Sequence, residues 1–294
     1  VDLNRSIVEN RLKEEFEIGW EDKVEQYLQN IYRGIGDWNT ENAYKNKLAG
    51  KKQEVLQKIG IRNKKKNIVI MPHCFSDAPH CASVSLYKDY YVWLVETLEI
   101  ISQIKNINWI IKEHPCNASY GEEGIVGRLY DKYRKEKNIY WLPNEYSTIV
   151  VPEIADAIMT VRGTAGIEMS CQGIRCVVAG LSFYSGGPFV YNPKSVKEYE
   201  CILRNLDKVT HLTEEEILCA RKTLFAAFDY LLPIQEAYQE LSRNLYEDFR
   251  KDNSSAAQNI EKYFGALLEL NQRRPITESY WYQWGRKNGK PVQN

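Results

Sequence analysis

The chain has 294 residues, with 39 basic and 39 acidic side chains. Its formal net charge of zero supplies no bulk attraction to nucleic acid or an anionic membrane surface. No apolar run reaches the roughly 18–20 residues a spanning helix needs and no signal-peptide pattern opens the chain, so a cytoplasmic protein is expected. Seven cysteines, an odd number without Cys-x-x-Cys spacing, read as reduced thiols, not as a disulfide framework or a metal set.

Residues 1–60 read as a helical segment. Ile7, Leu12, Phe16, Ile18, Trp20, Val24, Tyr27, Leu28 and Ile31 form a helical stripe interrupted near Gly19; Gly34-Ile35-Gly36 ends it, and a second helix is expected from Thr40 to Lys58. Nothing in this segment carries chemistry. Because the chain starts at Val1 inside a helical pattern, it is expected to be a piece of a longer protein. The run Lys64-Lys65-Lys66 reads as a solvated turn.

An alternating series follows. Strands are expected at Asn67–Met71, Ile107–Lys112, Asn138–Leu142, Ala157–Val161 and Arg175–Ala179. Between them fall helices at Asp89–Ile104, with Tyr90, Trp93, Leu94, Thr97, Leu98 and Ile101 on its apolar side, at Gly124–Glu136, at Ser147–Ile154 and at Ile167–Gly173. Later helices are expected at Lys194–Leu206, Glu214–Leu231 and Gln235–Leu268, with Pro233 separating the last two. Strands that are apolar throughout and separated by helices imply a parallel sheet covered on both faces. Residues 61–232 are therefore expected to form a Rossmann-like α/β domain with helical N- and C-terminal extensions. Residues 233–294 hold the last helix and an aromatic tail, Tyr280-Trp281-Tyr282-Gln283-Trp284-Gly285. That tail reads as a docking element, or alternatively as a platform for a sugar ring.

Right-handed crossovers bring the strand C-termini to one edge, where open α/β sheets bind ligands. Three loops of unusual composition fall there. Pro72 to His80 contains His73, Asp77 and His80, which suit acid/base or ligand roles. No further ligands at conventional spacing appear, so no metal is expected, and the loop also reads as a plain turn held by Asp77 and Pro79. Lys112-Glu113-His114-Pro115 places a histidine at the end of a buried strand, where it can hydrogen-bond a phosphate, or serve as a satisfied structural histidine. In Arg162-Gly163-Thr164-Ala165-Gly166-Ile167-Glu168 the glycines remove bulk where backbone would approach a ligand, the first helical N–H groups suit a phosphate, and Glu168 can face a ribose. The same residues also fit an ordinary strand-turn-helix with a Thr N-cap. A fourth loop, Phe183 to Pro188, carries Tyr184 and can close over a base or sugar, or be only a loop. There is no G-x-S-x-G elbow and no P-loop, which excludes a P-loop NTPase, and the first strand is not followed by G-x-G-x-x-G, which disfavours a conventional NAD site.

Taken in order, His73-Cys74-Phe75-Ser76-Asp77-Ala78-Pro79-His80, Asp89-Tyr90-Tyr91, Trp93-Leu94, Trp109-Ile110-Ile111-Lys112, His114-Pro115, Arg162-Gly163-Thr164-Ala165-Gly166, Glu168 and Phe183-Tyr184 resemble the bacterial capsule-polysaccharide biosynthesis glycosyltransferases, which include Kdo transferases. The resemblance covers about residues 66–190. It implies the C-terminal, donor-binding half of a metal-independent GT-B enzyme. Such an enzyme moves a sugar from a nucleotide carrier, such as a CMP-sugar, to a glycan or lipid-linked glycan acceptor. The nucleotide-sugar is the substrate, and no cofactor, metal or nucleic-acid partner is implied. The His-Pro motif is also similar to that of bacterial sialyltransferases. Carried over, His114 and Asp77 would be catalytic, and His73, His80, Lys112, Arg162, Gly163, Thr164, Ala165, Gly166, Glu168 and Tyr184 would line the donor site. Peripheral association with inner-membrane polysaccharide machinery would follow. Glu113 departs from the family, which more usually has a small residue or proline there. Residues 1–60 are too short and too helical for a full N-terminal Rossmann domain, so a missing N-terminal domain is expected. A CDP-glycerol-type polyol-phosphate transferase, a sugar-nucleotide epimerase and a non-catalytic nucleotide-sugar-binding module are the alternatives.

Overall fold

The computed structural model describes residues 3–35, 38–78 and 85–227. His80, the expected helix at 235–268 and the aromatic tail lie outside them. Glu15–Phe225 form one compact unit, and helix α1 (Leu3–Arg11) belongs to another.

Within the larger unit, α2 (Trp20–Tyr32) buries Trp20, Val24, Leu28 and Ile31, the i, i+4, i+8, i+11 spacing of one helical face. The helix expected over Thr40–Lys58 is instead two short ones, α3 (Trp38–Tyr44) and α4 (Lys52–Lys58). Asn46 breaks it by taking a positive φ of 58°, a conformation asparagine tolerates better than most residues. The residues between the helices become an extended strap. Leu48 N–H donates to the Glu145 carbonyl at 2.7 Å, and Ser147 N–H to the Leu48 carbonyl at 2.8 Å.

The sheet is built from β1 (Asn67–Ile70), β2 (Asn108–Lys112), β3 (Ile139–Leu142), β4 (Ala157–Thr160), β5 (Arg175–Val178) and β6 (Val190–Tyr191), in the order β3-β2-β1-β4-β5-β6. Every pairing is parallel. Five strands were legible as apolar runs; β6, only two residues long, offers no pattern to read. All residues of β1, β2, β4 and β5 are buried, as a sheet covered on both faces requires. The domain is thus a doubly wound, Rossmann-like α/β fold.

Between the strands run α5 (Tyr90–Ser102), α6 (Ile125–Asp131), α7 (Val151–Ile154) and α8 (Ala165–Ser170), with α9 (Val196–Arg204) after β6. Asp89 starts α5 by accepting the Val92 N–H at 2.7 Å, and all six residues assigned to its apolar side are buried. On α9, Tyr199 closes the core polar balance. Its hydroxyl accepts the Trp93 indole N–H at 2.9 Å and lies 3.0 Å from Thr97 Oγ1. Buried polar groups without such partners would each cost about 1–3 kcal/mol.

In this strand order the direction of winding reverses between β1 and β4. Crossovers leave to opposite sides there, which makes the loops after the two strands the place where open α/β sheets bind ligands. Those loops begin at Met71 and Val161.

Candidate active site at the switch point

Leaving β1, the chain places His73 beside the turn that leaves β4. Its Nε2 accepts the Arg162 backbone N–H at 3.1 Å and lies 3.5 Å from Thr160 Oγ1, while its ring stacks on Tyr90 with centroids 4.3 Å apart. An Nε2 that accepts leaves the proton on Nδ1. Burial, with the nearby His114 and Arg162 charges, pushes the pKa of His73 down to about 3. His73 is therefore a neutral brace joining two of the predicted loops.

Glu122 organises the rest of that loop. Its carboxylate accepts the N–H groups of Phe75 and Ser76 and the Ser76 hydroxyl, each at 2.6 Å. It is buried. Nothing in the sequence marked it, because the polar stretch around Glu122 and Glu123 looks like any solvated turn. In the same loop Ala78 has a positive φ of 49° and Asp77 is exposed. Tyr120 hydrogen-bonds Asp77, and Asp77 is the strongest influence favouring a charged His114.

His114 follows β2. The Cys116 N–H donates to its Nδ1 at 3.2 Å, so a neutral ring carries its proton on Nε2. The Cys74 Sγ lies 3.0 Å from the same Nδ1. Burial lowers the pKa of His114, with Lys112 and Lys47 acting in the same direction and Asp77 and Glu122 opposing. Near neutrality the side chain presents an N–H donor. Lys112 is 1% exposed, and its ammonium has an acceptor in Asn144 Oδ1 at 3.5 Å. Burial first, then Lys47, pulls its pKa down to about 7. Lys47 belongs to the strap after α3, in the segment to which the sequence assigned no chemistry.

Beyond β4, Arg162, Gly163 and Ala165 are half-exposed and Thr164 exposed. Among the described residues, no acceptor meets the N–H groups of Gly163, Thr164 and Ala165. Thr164 occupies the expected N-cap position of α8, but its side chain makes no capping hydrogen bond. Gly166 is required by the protein itself. A Cβ there would lie 2.2 Å from the Tyr184 hydroxyl and 2.8 Å from its Cζ. Tyr184 is 1% exposed and donates to the Gly163 carbonyl at 2.5 Å, so it sits under the turn and supports it from within. Glu168 is 8% exposed, and the Tyr44 hydroxyl hydrogen-bonds its carboxylate. Burial, and then the Glu168 charge, raise the Tyr44 phenol.

Together these residues give an α/β protein that carries, at the C-terminal ends of its strands, a neutral histidine N–H donor, an arginine, a run of backbone N–H groups and a buried lysine. Such a set suits a phosphorylated ligand. Among the described residues no cluster of three or more His, Cys, Asp or Glu could hold a metal ion, and no helix is long and apolar enough to cross a membrane.

No protein-family model and no curated protein matches the chain. Among solved structures it is similar to the Thermosulfurimonas dismutans KpsC beta Kdo 2,7 transferase, with 17% identity and a TM-score of 0.42, over 74% of this chain and 56% of that one. The KpsC beta Kdo 2,4 transferase of the same organism aligns with 15% identity and a TM-score of 0.42, over 73% and 59%. The wall teichoic acid polymerase TagF aligns with 13% identity and a TM-score of 0.36, over 75% and 47%. The chain therefore spans little more than half the length of the first two. Those names describe those proteins.

Proposed function

We propose that this chain is the donor-binding part of a glycosyltransferase that moves a sugar from a nucleotide carrier, of the cytidine or uridine type, to a surface polysaccharide. The observation that carries the reading is the convergence of three loops at the β1/β4 switch point. His73 ties the first loop to the third, Cys74 lies against His114, and the Asp77 charge favours a charged His114. The motif order that resembles capsule-polysaccharide glycosyltransferases falls on these same loops.

In the proposed reaction the bond between the sugar's anomeric carbon and the phosphate oxygen breaks, and its electron pair leaves with the nucleotide. His114 Nε2–H, the Arg162 guanidinium and the N–H groups of residues 163–165 stabilise that developing charge. The acceptor oxygen bonds to the anomeric carbon, and its proton passes to Asp77, the exposed carboxylate on the rim. Lys112 supplies positive charge from behind the site. Glu168 can serve a ribose hydroxyl while keeping Tyr44, because a carboxylate offers about four lone-pair sites. The acceptor site would come from further protein, and the enzyme would work in the cytoplasm beside the polysaccharide machinery.

Calorimetry of the chain against CMP, CDP and UDP tests the reading. Binding to at least one is expected at or below about millimolar concentration, equivalent to roughly 4 kcal/mol. Absence of binding to all three would contradict it. Binding without turnover of any labelled donor, even with the full-length protein, would support a non-catalytic module instead.

A further inference from the structure

We propose that Glu113 is a positioning residue whose carboxylate aligns Asn117 and Asn144 and through them sets how Lys112 and His114 meet an anion. The proposal rests on the nucleotide-phosphate reading of this edge.

The residues form one connected chain. Lys112 Nζ donates to Asn144 Oδ1 at 3.5 Å, and Asn144 Nδ2 donates to Glu113 Oε2 at 3.2 Å. From the other side, Asn117 Nδ2 donates to Glu113 Oε1 at 3.1 Å. Because that amide NH2 is committed to Glu113, its Oδ1 must face the Cys74 thiol, 3.3 Å away. Cys74 in turn sits 3.0 Å from His114 Nδ1. Burial raises the Cys74 pKa to about 12, so the thiol stays protonated, and its single proton is shared between two acceptors, Asn117 Oδ1 and His114 Nδ1, the second of which also takes the Cys116 N–H. One carboxylate, 9% exposed, thus dictates which way two amides point and connects to both Lys112 and His114 at this strand end. The residue that departs from the resembling family is the hub of the network.

The charge consequence has a definite sign. Lys112 faces Lys47 from the strap and Glu113 and His114 from its own strand end. Lys47 and burial disfavour its charge, and Glu113 favours it. Below about pH 7 Lys112 is charged and an anion binds best; above it the charge is lost and affinity falls. Removing the Glu113 charge should move that loss to lower pH. An amide at 113 also presents an NH2 to one of the two asparagine NH2 groups, which must then turn away.

The experiment combines an NMR titration of Lys112 in the ligand-free chain with calorimetry of CDP over about pH 5.5–8.5. The expected result is that Glu113→Gln moves both the Lys112 midpoint and the pH at which CDP affinity falls by half a unit or more toward acid, while Glu113→Asp restores both. Asn144→Leu, which severs the Lys112 branch alone, should move the Lys112 midpoint the same way and keeps the test available if Glu113→Gln folds poorly. An unchanged Lys112 midpoint in Glu113→Gln and Asn144→Leu overturns the proposal, whatever CDP does. If the midpoint moves but wild type binds no CDP at any pH, the phosphate reading of the site fails and takes the proposed ligand role with it. The lysine titration tells the two failures apart.

Discussion

Gly166→Ala separates a glycine needed by the fold from a glycine left open for a ligand. The added methyl would sit 2.2 Å from the Tyr184 hydroxyl and 2.8 Å from its Cζ, and Tyr184 is too buried to swing away. Overpacking of this kind costs about 1–3 kcal/mol. Displacing the ring also breaks its bond to the Gly163 carbonyl, worth about 1 kcal/mol. Alanine recovers about 1 kcal/mol of helix propensity at this α8 position. The net expectation is a loss of about 2 kcal/mol, read by urea denaturation with an unchanged slope. Tyr184→Phe alone should cost about 1 kcal/mol through the lost hydrogen bond. In the Gly166→Ala background it should cost nothing or stabilise, because it removes the atom the methyl meets first. That non-additivity is the signature of direct contact. Additive losses, or a stable Gly166→Ala, would refute the reasoning and return Gly166 to the ligand side.

His114→Ala should weaken nucleotide binding by roughly ten- to hundredfold, since a charge-assisted hydrogen bond is worth about 1.5–3 kcal/mol, while the melting temperature stays near wild type. Glu122→Gln removes the charge that gathers Phe75 and Ser76 N–H; faster amide exchange in residues 73–78 is expected, measured by hydrogen exchange, with protection in the strands unchanged. Glu168→Gln should lower ribonucleotide affinity by about 1–2 kcal/mol and 2′-deoxynucleotide affinity by less. Equal losses, with lowered stability, would leave Glu168 as an anchor for Tyr44 alone.

Periodicity made the sheet legible. Runs such as Asn67–Ile70 and Arg175–Val178 are apolar throughout because both faces are covered, and the buried face of α5 follows from its spacing. Helix ends were less legible. Asn46 split a segment rich in Lys, Glu and Gln, and local propensity does not register the Leu48 pairing that holds the split open. At the candidate site, the loops could be found because they follow strand ends. What each side chain does within them could not. Tyr184 and Gly166 face each other across 18 positions of sequence, and Glu122 reaches a loop 46 residues before it. Such partners meet only after the sheet has formed. Glu113 was legible as a departure from a motif, but its hydrogen bonds to Asn117 and Asn144 were not.

The central claim is that a nucleotide phosphate sits at the C-terminal ends of β1, β2 and β4. Amide chemical-shift mapping during titration with CMP, CDP and UDP measures it directly, because the N–H groups of Gly163, Thr164 and Ala165 would acquire an acceptor. The account predicts that the largest shifts fall on residues 162–165, on the Cys74–Asp77 loop and around His114, and vanish in His114→Ala at the same ligand concentration. Shifts centred elsewhere, for instance at the opposite edge around Asn63, Asn67 and Asn108, would contradict it.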